Sequence, residues 1–232
     1  MTRAILLSGG TGKRLGSNIP KQYIEVAGKE IIEYSIEILL ESECIDSLVV
    51  AAEAGWQDDI AKIIDRQPGK NKFIGFAEPG ETRQLSIYNA LRELSDVAAE
   101  GDSVLIHDAA RPNITDDLIR NMVQSLAEHD GVLPVLPMKD TVYMINEQGK
   151  ISSLLDRQYV VAGQAPELFL YGKYLQANEK LMADGSITSI NGSTEPAYLA
   201  GMDIITVPGD EHNYKITTQN DLARFREEMS NS

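Results

Sequence analysis

The chain has 232 residues, 43% apolar and 24% charged, which is typical of a folded protein with one or two domains. Its 21 lysines and arginines against 35 aspartates and glutamates leave a net charge of −14. This balance disfavours a protein that binds nucleic acid through a broad basic face, so any anionic ligand must be held by a local cluster of cations. The lone Cys44 cannot form an intrachain disulfide, and no apolar run suits a signal peptide or a membrane span. We therefore expect a cytoplasmic protein with no membrane partner.

Short apolar runs alternate with amphipathic patterns along the chain, as is typical of an α/β sheet covered by helices. Continuous runs predict central strands at residues 4–7, 48–51, 104–106, 132–133 with 135–136, and 204–207. Helical periodicity predicts helices at residues 30–40, 86–94, 116–126 after Thr115, and 220–229 after Thr217 and Thr218. Neither a repeat nor a linker divides the chain, which predicts one domain over residues 1–232.

A β-hairpin is predicted where this alternation breaks, at residues 140–161. Two short apolar segments there flank the turn-like sequence Glu147-Gln148-Gly149. A hairpin of this length would protrude from a parallel sheet as an arm over about residues 138–161. Because a partner subunit commonly covers an apolar arm, this pattern favours a homodimer.

A glycine-rich loop follows the first predicted strand, with the sequence Gly-Gly-Thr-Gly-Lys-Arg at residues 9–14. Its glycines allow backbone amides to surround a polyphosphate, while Lys13 and Arg14 add positive charge. A Walker A loop would need Ser or Thr in place of Arg14, and a dinucleotide-binding loop would need glycine in place of Leu15. A nucleotide loop of another kind and a βα turn without a ligand are the two interpretations.

Two further groups add chemistry to this loop. Lys21, behind Pro20, could reach the same phosphates as Arg14, and two fixed cations beside an α-phosphate stabilise the transition state of nucleotidyl transfer. Asp108 follows the predicted strand 104–106 at its carboxyl end, where ligands of open α/β sheets bind, and its oxygens suit Mg²⁺. The alternatives are a solvated lysine and a structural ion pair between Asp108 and Arg111.

Five ordered motifs carry a family resemblance over nearly the whole chain. They are G-G-T-G-K-R-L-G with P-K-Q-Y, then E-T-R-Q-x-S at 81–86, H-D-A-A-R-P at 107–112, K-D-T at 139–141, and N-Y-K-I-T at 213–217. The chain resembles the cytidylyltransferases that act on 2-C-methyl-D-erythritol 4-phosphate or ribitol 5-phosphate. The resemblance implies a Rossmann-like, glycosyltransferase-A-like nucleotidyltransferase fold with a mostly parallel sheet. It also implies CTP as co-substrate, Mg²⁺ as cofactor and a CDP-polyol with pyrophosphate as products.

The resemblance also implies roles for individual residues. The catalytic cations are Arg14, Lys21 and Lys215. The residues that bind the nucleotide are Ser8, Gly9, Gly10, Thr11, Gly12, Lys13, Gly80, Glu81, Ser86, Asp108 and Arg111, of which Asp108 also holds the metal. The residues that bind the polyol phosphate are Thr141, Arg157 and Ala165. The resemblance further implies that the arm carries Thr141 and Arg157 across the dimer to the neighbouring subunit's site.

Departures from the family pattern lie on the polyol side. Ala165 stands where a threonine is usual, and residues 191–195 read Asn-Gly-Ser-Thr-Glu in place of a Thr-Asp pattern. A missing hydroxyl donor alters the choice of substrate, so methylerythritol 4-phosphate, ribitol 5-phosphate and another alditol phosphate all stay open. We expect His107 to be structural. The alternative functions are transfer from another nucleoside triphosphate to a sugar phosphate, and binding of a cytidine nucleotide without catalysis.

Overall fold

The predicted apolar runs all form strands of one eight-stranded sheet in the computed structural model, which describes residues 1–10 and 19–231. The strands are β1 Thr2–Leu7, β2 Glu25–Val26, β3 Lys29–Glu30, β4 Ser47–Ala51, β5 Phe73–Ala77, β6 Ser103–Asp108, β7 Gly131–Pro137, β8 Val142–Ile145, β9 Ile151–Leu155, β10 Val161–Gly163, β11 Glu167–Leu170 and β12 Ile204–Pro208. The helices are α1 Ile31–Glu41, α2 Ala54–Asp65, α3 Arg83–Glu93, α4 Asp116–Ser125, α5 Tyr171–Ala183, α6 Glu195–Leu199 and α7 Gln219–Ser230.

The sheet is mostly parallel, which confirms the predicted fold class. Its order is β10-β7-β11-β6-β1-β4-β5, and β12 pairs with β7. Strands β4, β1 and β6 run parallel in register, while β11 lies antiparallel between β6 and β7. Strands β1, β4 and β6 are buried along almost their whole length, as their continuous apolar sequences predict. Their carboxyl ends therefore meet at one edge of the sheet.

The prediction of a central strand at residues 204–207 is wrong in one respect. Strand β12 does form there, but in the described part of the chain its ladder partner is β7 alone. Ile204 and Ile205 are half-buried and Thr206 is exposed. An apolar run this short does not distinguish an edge strand that packs on one face from a strand covered on both.

Helices cover both faces of the sheet and divide the core in two. Ala4 and Leu6 of β1 pack with α1, α2 and α4, whereas Ile5 packs with α3 and α5 on the other face. The apolar positions that predicted α1 are all buried, and Thr115 caps α4 by accepting a hydrogen bond from the backbone N–H of Leu118. No helix among residues 1–10 and 19–231 combines the length and the apolar character that crossing a bilayer requires.

The helix predicted at residues 86–94 begins three residues earlier than its apolar pattern indicates. The hydroxyl of Thr82 accepts a hydrogen bond from the N–H of Leu85, so α3 starts at Arg83. Its first turn is polar and faces a cavity, which removes the apolar signal there. The sequence patterns do not predict helices α2, α5 and α6 or strands β2, β3, β5, β10 and β11.

The predicted hairpin is present as β8 and β9, which pair only with each other among the described residues. The turn lies at Gly149, whose positive φ of 74° suits glycine. Along this arm at least half of each of five apolar side chains is exposed: Tyr143, Met144, Ile145, Ile151 and Leu154. The arm therefore presents an apolar surface that its own chain leaves uncovered.

Candidate active site

A cavity of about 560 Å³ opens at the carboxyl ends of β1, β4, β5 and β6. Eight residues predicted for the site line it: Gly9, Gly10, Lys21, Gly80, Glu81, Ser86, Asp108 and Lys215. They come from four separate stretches of the chain, and the parallel strands bring those stretches to one place. This is the edge where an open α/β sheet binds its ligands.

The start of the glycine loop is fixed by the residues that follow Lys21. The amide of Gln22 donates hydrogen bonds to the carbonyls of Ser8 and Gly10, at 2.6 and 2.9 Å. The hydroxyl of Tyr23 lies 2.8 Å from that of Ser8, and both residues are buried. Ser8 therefore braces the loop from behind rather than lining the cavity, while Lys21 lies at the cavity wall. Thr11, Gly12, Lys13 and Arg14 lie outside the described residues.

The segment after β5 forms the opposite wall. A Cβ on Gly80 would lie 2.3 Å from the Cβ of Leu85, so only glycine fits at this turn. The backbone N–H of Gly80 donates to the hydroxyl of Ser86, which in turn donates to the carbonyl of Thr82. Ser86 thus holds the turn closed, and the turn places Glu81 at the cavity beside the first turn of α3.

Asp108 is the centre of a cluster of charges. Its Oδ1 accepts a hydrogen bond from Nε of Arg83 at 3.1 Å, and its Oδ2 accepts one from Nζ of Lys215 at 2.9 Å. Nε of Arg111 lies 3.8 Å from Oδ2. Burial raises the pKa of Asp108, but these cations outweigh burial and hold the pKa well below its usual range. The carboxylate is therefore ionised at neutral pH and lies at the cavity wall.

Arg111 braces this cluster instead of lining the cavity. Its Nη1 donates to the carbonyl of Asn213 at 2.7 Å, and the N–H of Ile216 donates to the carbonyl of Ala110. These two bonds tie the segment that carries Lys215 to the loop after β6. The alternative of a structural ion pair between Asp108 and Arg111 thus describes part of the arrangement, and Lys215 is held in place by it.

His107 is completely buried, as the structural interpretation expects. Its Nε2 lies 3.0 Å from the carbonyl of Arg111, and burial lowers its pKa to about 4. The imidazole is therefore neutral at pH 7, and it is absent from the cavity lining.

The three predicted polyol-binding residues do not line this cavity in their own chain. Thr141 and Arg157 are exposed at the base of the arm, where Nη1 of Arg157 donates to the carbonyl of Lys139. Ala165 is buried, and its carbonyl accepts a hydrogen bond from the amide of Asn213. The structure therefore brings the nucleotide-binding candidates together and leaves the arm residues apart.

A family model described as 2-C-methyl-D-erythritol 4-phosphate cytidylyltransferase matches residues 2–230. The chain belongs to this cytidylyltransferase family. It is 32% identical over 230 residues to ribitol-5-phosphate cytidylyltransferase of Streptococcus agalactiae serotype V, covering 97% of this chain and 94% of that protein. It is also 32% identical over 228 residues to 2-C-methyl-D-erythritol 4-phosphate cytidylyltransferase of Thermotoga neapolitana, covering 97% and 96%. The predicted family and enzyme class are confirmed.

A solved structure agrees with this assignment at the level of the fold. The crystal structure of 4-diphosphocytidyl-2C-methyl-D-erythritol synthase from Anaerococcus prevotii matches with a TM-score of 0.84 at 24% identity, covering 99% of this chain and 96% of that one. At that identity the likeness concerns the architecture alone.

The cavity of this cytidylyltransferase has residues that the sequence predictions did not assign. The polar ones are Gln22, Glu53, Thr82, Arg83 and Thr217. All of these except Glu53 lie inside the family motifs, so their positions carry a signal in the sequence. Glu53 precedes α2, a helix that the sequence patterns do not predict. Arg83 also contacts a second buried carboxylate, since its Nη2 lies 3.5 Å from Oε2 of Glu167 at the start of β11.

Proposed function

We propose that the chain transfers CMP from CTP to a polyol phosphate and releases pyrophosphate. The observation that carries the proposal is the convergence of Lys21, Lys215 and Asp108 on one cavity with the glycine loop. Lysines fixed beside a phosphate stabilise the charge that develops during nucleotidyl transfer. The family match and both named relatives support CTP and a polyol phosphate as substrates.

The reaction needs positioning more than proton transfer. An oxygen of the acceptor's phosphate forms a bond to the α-phosphorus of CTP, and the bond from that phosphorus to the bridging oxygen breaks. Pyrophosphate leaves with the electron pair. Lys21 and Lys215 would neutralise charge on the α-phosphate oxygens, and the attacking phosphate is already anionic. A buried neutral His107 is consistent with this scheme, because no general base is required.

We propose that Asp108 is the protein ligand of Mg²⁺ in the same cavity. The carboxylate is ionised and at the cavity wall, and oxygen ligands suit Mg²⁺. Among residues 1–10 and 19–231 no group of three or more His, Cys, Asp or Glu side chains suits a metal ion. The triphosphate would thus supply most of the other ligands, as is usual for Mg²⁺ at nucleotide sites. When bound, the ion would neutralise charge on the phosphates.

We also propose a homodimer in which the arm completes the partner's site. The exposed apolar side chains of β8 and β9 support an interface, because a surface of this kind is costly to leave in water. Thr141 and Arg157 do not line the cavity of their own chain, which supports their use in the partner. In that arrangement one chain binds the nucleotide and the other contributes to the binding of the polyol phosphate.

The test is pyrophosphate release from each of CTP, UTP, ATP and GTP, with Mg²⁺ and a panel of acceptors. The panel contains 2-C-methyl-D-erythritol 4-phosphate, ribitol 5-phosphate, other alditol phosphates and glycerol 3-phosphate. We expect strong release with CTP and one alditol phosphate. Release with another nucleotide and a sugar phosphate, or binding of CTP without release on any acceptor, would contradict the proposal.

A further inference from the structure

Arg83 reaches across the cavity from one wall to the other. It begins α3 beside Gly80 and Glu81, yet its guanidinium lies against β6 and β11. Its Nε donates to Asp108 at 3.1 Å, and its Nη2 lies 3.5 Å from Oε2 of Glu167. Charge on two strands therefore fixes a side chain that comes from a third element.

Glu167 is placed to hold this guanidinium from behind. Its side chain is 11% exposed, and its Oε2 faces Nη2 of Arg83. Among the described residues no donor forms a hydrogen bond with this Oε2. A buried carboxylate needs a cation, because removing either partner leaves an uncompensated charge in a poorly solvated place. Arg83 is thus restrained by Asp108 on one side and by Glu167 on the other.

The restrained guanidinium keeps hydrogen-bonding capacity for a ligand. The Arg83 side chain lines the cavity and is 32% exposed. Its Nη1 makes no hydrogen bond to any described residue. An arginine has five N–H donors in a fixed plane. Two carboxylates flank this guanidinium: Glu167 pairs with it, and Asp108 is shared with Lys215 and Arg111. Beside these carboxylates its unused donors suit an uncharged oxygen such as a hydroxyl better than an anionic phosphate.

We propose that Arg83 donates a hydrogen bond to a hydroxyl group of the polyol and that Glu167 is the positioning residue that aims it. The inference rests on the proposed function, since it names the part of the acceptor that this side of the cavity reads. A donor fixed in place discriminates strongly between an acceptor with the hydroxyl and one without it. The Arg83–Glu167 pair would therefore set acceptor preference, while the lysines serve the phosphates.

The first measurement compares Glu167→Gln with a matched control, Glu33→Gln. Glu33 on α1 has the same 11% side-chain exposure and also faces one guanidinium, that of Arg66 at 3.4 Å. We expect Glu167→Gln to raise the acceptor KM about tenfold and to lower, by a similar factor, the preference for the acceptor over an analogue that lacks one hydroxyl. The CTP KM should stay within about twofold, and Glu33→Gln should change none of these constants. Equal rises in both KM values, or no change, would overturn the proposal.

The second measurement does not need turnover. In ¹⁵N-labelled protein the Nε–H signal of Arg83, assigned by its loss in Arg83→Lys, should shift or broaden in Glu167→Gln and stay in place in Glu33→Gln. An unchanged signal would overturn the positioning role of Glu167 even if the enzyme is active. A shifted signal in a chain that uses no polyol phosphate would overturn the assignment to a polyol hydroxyl, and it would separate that failure from the positioning role.

Discussion

The part of the cavity lined by the candidate nucleotide-binding residues, here called the nucleotide wall, differs from the β8–β9 arm in how many contacts with its own chain hold it in place. Side chains at the nucleotide wall are braced by other residues of the same chain: Gln22 holds the glycine loop, Ser86 closes the turn at Gly80, and Asp108 has three cations around it. The arm instead exposes apolar side chains and pairs only with itself among the described residues. This difference supports the proposal that one chain prepares nucleotide binding and that the acceptor side depends on a second chain.

The largest expected effect is on the pH dependence of stability, and it comes from the buried His107 next to Asp108. The folded chain holds His107 with a pKa of about 4, whereas an unfolded histidine titrates near 6.5. Between these values the unfolded chain binds an extra proton. The contribution of His107 to the free energy of unfolding is therefore complete above about pH 7 and decreases as pH falls. The loss reaches about 3 kcal/mol near pH 4.

Denaturant unfolding between pH 4.5 and 7 measures this loss. His107→Gln should flatten the pH dependence in that window, whatever its effect on total stability. The exposed His212→Gln is the control for the loss of a histidine side chain. A His107→Gln protein with the wild-type slope would show that His107 is not the group responsible.

Lys21→Ala should give the next largest effect, at the nucleotide wall. Removing one donor to the α-phosphate should lower kcat about 100-fold, with little change in the thermal unfolding midpoint. The control is Lys62→Ala, since Lys62 is an exposed lysine that pairs with Asp59 on α2. Steady-state pyrophosphate release decides the matter, and a kcat within threefold of wild type would rule out the role of Lys21.

A charged side chain on the β8–β9 arm should disrupt the proposed dimer interface. Met144→Lys places a cation on the exposed apolar surface, and we expect dissociation to monomers with about a 30-fold loss of turnover at low acceptor concentration. Met182 on α5 is also exposed, so Met182→Lys is the matched control. Analytical ultracentrifugation and turnover together test the arm. A Met144→Lys protein with unchanged mass and turnover would argue against an interface there.

Arg157→Ala should have a smaller and more selective effect. If Arg157 binds the acceptor, the acceptor KM should rise about tenfold while the CTP KM stays close to normal. Arg120→Ala removes an exposed arginine that pairs with Asp116 and Asp117 on α4, and it should change neither constant. A loss of CTP affinity in Arg157→Ala would instead assign this arginine to the nucleotide.

The sequence predicted those parts of the molecule that local patterns determine. The strands at residues 4–7, 48–51 and 104–106, the cap at Thr115 and the hairpin turn at Gly149 each depend on neighbours in the chain. Glycine spacing likewise predicted a loop at the cavity, because backbone approach requires glycine locally. These features form from near residues, so a linear pattern contains their signal.

The remainder depends on contacts through space. Local sequence patterns assign no role to Glu167, yet β11 places it against Arg83, 84 residues earlier in the chain. Helix α3 starts before its apolar pattern because its first turn faces the cavity. Strand β12 has a central strand's sequence at an edge position. In each case the surroundings, rather than the residue type, decide the role.

A heterodimer of two impaired chains tests the central claim most directly. One chain carries Lys21→Ala and the other Arg157→Ala, each with its own affinity tag, and the mixed dimer is purified and assayed at low acceptor concentration. If the arm completes the partner's site, one of the two sites has both residues intact, and we predict about half of the wild-type rate. A rate no higher than the mean of the two parent variants would contradict the account, because both residues would then act within a single chain.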